Sequence, residues 1–322
     1  MRAIAVERLT GPDGVALVER PEPAAGDGRV LIEVHAAGVS FPDLLLSQGL
    51  YQARPEVPFP AGVEGAGRVL EAAPSSGFRT GQRVVFSGRG SWAERVAAAG
   101  SDVFPLPERL TMAQGAALLM NYHTAHFGLI RRGRLVGGET LLVHGAAGGV
   151  GSAAVQVGKA VGARVIAVVS DERKAEVATR VGADSSVLFG EDWLQRVRDL
   201  SGDGVDVVFD PVAGDRFDDT VRTLAPEGRL VIIGFAGGSI PRLSVNRVLF
   251  RNIDIVGAAW GAFLEHGPDI RAGTHADLVR MVEEGFVDPL VGAALPLERA
   301  ADALRLLADR QAVGKVVLTV RD

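Results

Sequence analysis

The chain contains no cysteine in 322 residues. Disulfides, thiolate nucleophiles and every zinc site that needs a cysteine are therefore excluded. No window holds about 18 uninterrupted, strongly apolar residues, so no transmembrane helix is expected. The opening MRAIAVERLTGPDG has no long apolar stretch and reads directly as a strand. No signal peptide is expected, and the default compartment is the cytoplasm. Tyrosine occurs only at Tyr51 and Tyr122, and lysine only at Lys159, Lys174 and Lys315, beside 31 arginines. An excess of positive charge is also missing. The formal net charge of −5 disfavours nonspecific nucleic-acid binding, so neither a nucleic-acid nor a membrane partner is expected. Arg131, Arg132 and Arg134 form a short basic cluster that reads as a solvated loop or helix end. No GxSxG, Ser/His/Asp or Cys/His pattern is legible. His123 and His126 stand three apart on a helix-like run, a spacing that could hold a metal, but no carboxylate accompanies them in sequence. No metal site is expected.

What is present is ordinary for a soluble enzyme: 47% hydrophobic and 23% charged residues, with 41 glycines spread along the chain. The length suits about two domains. Up to about Arg109 the pattern is short β-like runs broken by Gly and Pro, among them Arg29–Val39, Gly67–Ala73 and Gln82–Gly88. From Thr111, a plausible N-cap, TMAQGAALLMNYHTAHFGLI has helical spacing. After Glu139 strands and helices alternate. Strands are expected at Thr140–His144, Arg164–Val169, Ser186–Leu188, Val205–Phe209, Arg229–Ile233 and Asp254–Val256. Alternation of this kind builds a doubly wound parallel sheet. The tail returns to β-like character at ALPLE and GKVVLTV, so it should rejoin the first domain. The expected class is α/β, with a Rossmann domain over residues 122–285 inserted into a β-rich substrate domain of residues 1–121 and 286–322.

The segment LLVHGAAGGVGSAAVQVGKAVGARVIAVVS, Leu141 to Ser170, carries the chemistry. Its turn contains Gly145, Ala147, Gly148, Gly149, Val150 and Gly151, follows a strand and opens a helix. Gly148 and Gly149 let backbone approach a ligand with no Cβ in the way, and Gly151 lets the helix pack close on the strand. The helix N-terminus then offers unpaired N–H groups to a pyrophosphate. The strict GxGxxG form is broken at Ala146. The strand–turn–helix–strand context favours a dinucleotide site over a purely structural turn. An NAD site usually ends the second strand with an acidic residue on the ribose. Here that position is Ser170, with Lys174 one turn on. A hydroxyl and a cation suit a 2′-phosphate, so NADPH is expected ahead of NADH, against the presence of Asp171 next door. Lys174 as an incidental surface lysine is the competing reading.

These motifs, with AAGVSFPDLLLSQGLY (Ala36–Tyr51), PFPAGVEGAGRV (Pro58–Val69), GADSSV (Gly182–Val187), GVDVVFDPVAG (Gly204–Gly214), VGAAWGAF (Val256–Phe263) and GKVVL (Gly314–Leu318), make the chain resemble one family. It is the zinc-free quinone oxidoreductase, zeta-crystallin-like branch of the medium-chain dehydrogenase/reductase superfamily. The resemblance spans nearly the whole chain. It implies a GroES-like fold for the β-rich domain, hydride transfer from NADPH to a small molecule, and a homodimer. Zinc-dependent relatives carry Cys where this chain has Ser40, and GHE where it has Gly62-Val63-Glu64. Valine cannot ligate a metal, and a lone serine is a poor zinc ligand. Without a Lewis acid, a quinone or α,β-unsaturated carbonyl is the easier acceptor, because its oxyanion is delocalised.

The resemblance also implies roles. Tyr51 aligns with a pocket tyrosine and could donate its hydroxyl to a substrate oxygen; a loop anchor is the alternative. Ser40 stands where close relatives often carry Asn, near the nicotinamide. Thr124 aligns with a threonine beside the nicotinamide amide, and Asn121, about a turn earlier, would share its surroundings unless both merely cap backbone. Gly234 and Phe235 match a loop along the cofactor, and Lys315 a basic residue near it. Trp260 walls the pocket or belongs to the core. Phe189 replaces a tyrosine that contacts the 2′-phosphate in relatives preferring NADPH. Two other functions stay open: an enoyl-thioester reductase of the acryloyl-CoA type, and an NADPH-binding protein with little turnover.

Overall fold

The computed structural model describes residues 1–26, 28–265 and 270–321. The chain divides into two compact units, Met1–Met120 with Pro289–Asp322, and Asn121–Asp288. Among the described residues, no helix is long and apolar enough to cross a membrane.

The first unit is organised by one long strand, Arg29–Val39, whose Val30, Ile32 and Val34 are buried in strict alternation. It pairs antiparallel with Glu64–Ala72 along most of its length. Its first half also pairs with Arg95–Ala99, and its last four residues with Lys315–Thr319. The closing strand thus returns to this unit, as its apolar pattern suggests. The core is mostly β-branched and aromatic, with Ile32, Val84, Phe86, Trp92, Val316 and Leu318 nearly inaccessible. Each such side chain contributes about 1.5–3 kcal/mol by burial. An α-helix, Ala300–Ala308, precedes the last strand, and its buried Ala300, Ala303 and Leu304 fall at i, i+3 and i+4.

The second unit is a six-stranded sheet, parallel throughout: β1 (Thr140–His144), β2 (Arg164–Val169), β3 (Ser185–Leu188), β4 (Val205–Asp210), β5 (Leu224–Ile232) and β6 (Asp254–Gly257). The spatial order is β3-β2-β1-β4-β5-β6. Four helices follow the first four strands: α1 (Gly149–Val161), α2 (Glu172–Arg180), α3 (Trp193–Ser201) and α4 (Phe217–Thr223). The central strands read as nearly continuous apolar runs because both faces are covered; Val165 to Val169 are all buried, while the edge strands β3 and β6 bury one residue each. Strand β5 begins at Leu224 rather than Arg229, because Leu224 pairs with Val205 ahead of a register shift. The order reverses beside β1 and β4, where open α/β sheets bind ligands at their carboxyl edge.

Thr111 does cap a helix: its Oγ1 accepts the Gln114 N–H at 3.2 Å, and the Gln114 Oε1 accepts the Thr111 N–H at 2.9 Å. The regular helix lasts only from Met112 to Gly115. Wider π-type turns follow at Leu119–His123 and Phe127–Arg132. For the first of these a cause is visible. The Met120 N–H donates to Glu64 Oε2 at 2.8 Å, which takes a donor out of the helical ladder.

Candidate functional site

The turn after β1 is shaped by close backbone approach. Gly145 has φ +62° and its N–H donates to Val168 O at 3.0 Å, tying the turn to β2. A Cβ at Gly151 would lie 2.1 Å from Gly145 O, so only glycine lets α1 rise so near the turn. The N-cap of α1 is Gly148, which has no capping side chain. The first N–H groups of a 13-residue helix are left to an outside acceptor, at the positive end of the helix dipole. Ala147 is buried and Val150 half-buried along this turn. A Cβ at Gly149 would meet Asn121 Nδ2 at 2.7 Å, so the Asn121 amide lies against the glycine turn. Thr124 is half-buried and opens the short turn Thr124–His126. The cradle that a Cβ would fill, with free helical N–H groups beneath it, fits a pyrophosphate.

At the end of β2 a polar cluster has formed. Lys174 Nζ donates to Ser170 Oγ at 2.9 Å, and Ser170 Oγ donates to Asp171 Oδ2 at 2.9 Å. Asp171 Oδ1 accepts the Lys174 N–H at 2.9 Å, capping α2. That backbone hydrogen bond, more than the ammonium nearby, holds the Asp171 carboxyl below its ordinary range. Phe189 follows β3, its N–H donating to Val169 O at 2.7 Å, which puts it beside Ser170 on the neighbouring strand end. Gly234 and Phe235 follow β5. Their loop is laced to the one after β4 by Ile233 N–H to Asp210 O at 2.9 Å and Gly237 N–H to Val212 O at 2.7 Å.

Trp260 sits in a buried aromatic cluster, edge-on to His123 at 5.6 Å between ring centroids and 5.3 Å from Phe127. The two helical histidines turn to different partners. His123 Nε2 lies 3.4 Å from His275 Nδ1, and His126 Nε2 lies 3.3 Å from Asp277, a carboxylate that sequence spacing does not reveal. Among the described residues, no group of three or more His, Cys, Asp or Glu could hold a metal. His144 is buried at the end of β1 with Nε2 2.9 Å from Thr220 Oγ1, and burial pushes its pKa down to about 4. It stays neutral near pH 7.

In the first unit, four polar residues share one buried place. Ser40, Asp43, Glu64 and Lys315 are each at most 5% exposed. The strand register brings them together: Lys315 falls one step beyond the Val316–Val39 pair, opposite Ser40. The Lys315 ammonium donates to Ser40 Oγ at 2.7 Å and is ion-paired with Glu64 Oε1. Ser40 Oγ also lies 3.1 Å from Glu64 Oε1. The Ser40 N–H donates to Asp43 Oδ2 at 2.8 Å, the N-terminal closure of helix Phe41–Ser47. Asp43 Oδ1 is buried without a partner. Burial raises its pKa to about 7, against the opposing pull of Lys315 and the Ser40 N–H. Tyr51 is half-buried; desolvation first and the nearby Asp43 second raise its phenol pKa, which keeps the hydroxyl protonated as a donor.

A zinc ion does not fit here. Val63 offers no donor atom, and the oxygens of Ser40 and Glu64 already hold an ammonium. Sequence reasoning passed over Asp43 and Glu64 as members of this cluster. The Ser-x-x-Asp spacing ahead of an apolar run was the available signal for Asp43. For Glu64 only the three-dimensional pairing reveals its cation.

Two family models match the chain: the alcohol dehydrogenase GroES-like domain over residues 26–108 and zinc-binding dehydrogenase over residues 149–272. Quinone oxidoreductase-like protein 2 of Bos taurus is 35% identical over 297 residues, covering 91% of this chain and 85% of its own length. The crystal structure of a probable oxidoreductase from Mycobacterium abscessus superposes with a TM-score of 0.92 at 44% identity, over 99% of both chains. A mycobacterial protein solved in complex with NADPH gives a TM-score of 0.92 at 33% identity, over 99% of this chain and 100% of that one.

Proposed function

This chain belongs to the zinc-free quinone oxidoreductase family of the medium-chain dehydrogenases/reductases, and from that premise we propose that it passes hydride from NADPH to a quinone or α,β-unsaturated carbonyl. The observation that carries this reading is the uncapped glycine turn of α1, with Ser170 and Lys174 at the adjoining strand end. The relative solved with NADPH supports the cofactor.

When bound, NADPH supplies a hydride from its nicotinamide C4. The N–H groups of Gly149, Val150 and Gly151 hold the pyrophosphate through the helix dipole. Ser170 and Lys174 would contribute a hydroxyl and an ammonium to the 2′-phosphate at the end of β2. Asn121 is fixed against the turn, and with Thr124 it orients the carboxamide end. Gly234 and Phe235 cover the cofactor from the β5 loop.

The first unit supplies hydrogen-bonding groups. Tyr51 keeps its proton and donates to the acceptor oxygen as charge builds there. The Lys315–Glu64–Ser40 set is charge-balanced internally, so it positions the Ser40–Asp43 helix start and leaves no strong acid to drive the reaction. Reduction would add one hydride and one proton to the acceptor; the hydride is what the bound nucleotide would supply, and the proton would come from water while Tyr51 stays a hydrogen-bond donor. A conjugated acceptor suits this equipment, since its own π-system spreads the negative charge.

The test is loss of NADPH absorbance with a panel of quinones, enones and enoyl-thioesters, in the presence of a chelator. Turnover of quinones or enones is expected. Activity that appears only with added zinc overturns the reading, and so does no activity with any acceptor. Saturation only by acyl-thioesters at low concentration moves the substrate to the enoyl-thioester class. A homodimer is part of the same proposal, supported by the exposed apolar side chains of Val245, Leu249 and Phe250, and sizing by light scattering checks it.

A further inference from the structure

The polar cluster at the end of β2 has a charge problem. Lys174 is the cation that the 2′-phosphate reading relies on, yet its Nζ lies 3.5 Å from Asp171 Oδ2, which also accepts the Ser170 hydroxyl. The pair is neutral as it stands, and the side chains lie at the surface, where one screened ammonium attracts a phosphomonoester weakly. A dianion brought to Ser170 would meet Asp171 as well as Lys174. No hydroxyl stands on the next strand end either, because residue 189 is phenylalanine.

A second cation stands there instead. The Arg216 guanidinium lies 3.7 Å above the ring centroid of Phe189, over a side chain that is 39% exposed. Phe189 is itself anchored to Val169 O, the residue before Ser170. Arg216 reaches this position from the loop after β4, through an unusual backbone. Ala213 has φ +51° and ψ −128°, a conformation L-residues rarely adopt, and Gly214 follows at φ +69°. Asp210 Oδ1 holds that bend by accepting the N–H groups of Val212 at 2.9 Å and Ala213 at 2.8 Å. A strained, pinned loop that ends in a guanidinium stacked on an aromatic face is a preorganised anion contact.

We propose that Arg216, held flat on Phe189, is the second cation of the 2′-phosphate site and sets the preference for NADPH over NADH. The inference rests on the NADPH reading above and adds a residue to it. Phe189 then acts as a platform: its ring fixes the plane of the guanidinium, whose edge meets phosphate oxygens side by side when the nucleotide binds.

The experiment is calorimetric titration of the full chain with NADPH, NADH, 2′,5′-ADP and 5′-AMP, using wild type, Arg216→Gln and Lys174→Gln. Thermal midpoints check that each variant is folded. Arg216→Gln should weaken NADPH and 2′,5′-ADP by about 10- to 100-fold, the loss of a charged hydrogen-bonding group, and leave NADH and 5′-AMP within about twofold. It should also flatten the salt dependence of NADPH binding. Equal weakening of all four ligands would assign Arg216 to the adenine or to loop structure and overturn the proposal, as would no change in any. If Arg216→Gln fails to fold, Phe189→Leu, which removes the platform and keeps the arginine, takes its place with the same expected selectivity. Wild-type protein that binds none of the four sinks the NADPH reading itself, a result distinct from an indifferent Arg216.

Discussion

Lys315 Nζ lies 2.7 Å from Ser40 Oγ, although 275 positions separate the two residues in the chain. Both are buried, and the ammonium completes its environment on Glu64. Removing the cation alone leaves the buried Glu64 carboxylate without its counter-ion. Lys315→Met should therefore cost about 3–5 kcal/mol of stability, measured by urea unfolding. The double variant Lys315→Met/Glu64→Gln should recover most of that loss. Two single losses that simply add would mean the pair is not coupled.

Asp43 gives a pH signature. Its folded pKa is raised to about 7, above the unfolded value near 3.8, so the folded state binds the extra proton between those limits. Stability from this group is highest below about pH 4 and falls as pH rises towards 7. Asp43→Asn keeps an oxygen for the Ser40 N–H and removes the titration. The variant should gain on wild type as pH climbs from 4 to 7.5, by at most ~4 kcal/mol. Thermal midpoints at four pH values decide it; parallel curves would refute the assignment.

Gly151→Ala tests the cradle. Its methyl would sit 2.1 Å from Gly145 O, so the turn must open. A stability loss of about 1–3 kcal/mol is expected, and NADPH binding should drop below detection by calorimetry. Unchanged affinity would mean the pyrophosphate docks elsewhere.

Ser170→Asp should reverse the nucleotide preference. A carboxylate at this strand end accepts the ribose 2′-OH and repels a 2′-phosphate. The ratio of kcat/KM for NADPH over NADH should fall by about 100-fold, some 2.7 kcal/mol. A ratio that stays put would remove Ser170 from the site.

Tyr51→Phe should lower kcat/KM for a quinone by about tenfold, the worth of one hydrogen bond to developing charge, with NADPH affinity unchanged. Loss of affinity together with rate would make Tyr51 a structural anchor.

The central strands Thr140–His144, Arg164–Val169 and Val205–Asp210 were legible because each is a largely apolar run buried on both faces, whereas the edge strands Ser185–Leu188 and Asp254–Gly257 bury one residue each and were legible from the alternation of strands and helices. The glycine turn was legible because a Cβ at Gly151 would overlap Gly145 O unless the turn opened, so the residue type reports the geometry. The π-type turns at Leu119–His123 and Phe127–Arg132 were not legible. Helical spacing does not disclose that Glu64, 56 residues earlier, takes the Met120 N–H. Nor does spacing disclose that Asp277 meets His126 or that His123 turns to His275.

Local pattern alone was thus enough for the α/β class, the glycine turn between strand and helix and the absence of zinc-ligating side chains at Ser40 and Val63, since each depends on residues close together in the chain or on side chains that are simply absent. Only the tertiary structure decided what stands in the metal's stead and what surrounds the strand end at Ser170. Lys315 reaches Ser40 through the pairing of the last strand with Arg29–Val39, and Arg216 reaches Phe189 through a bend at Ala213. Such charge partnerships are set by strand register and loop path, and a linear sequence carries neither.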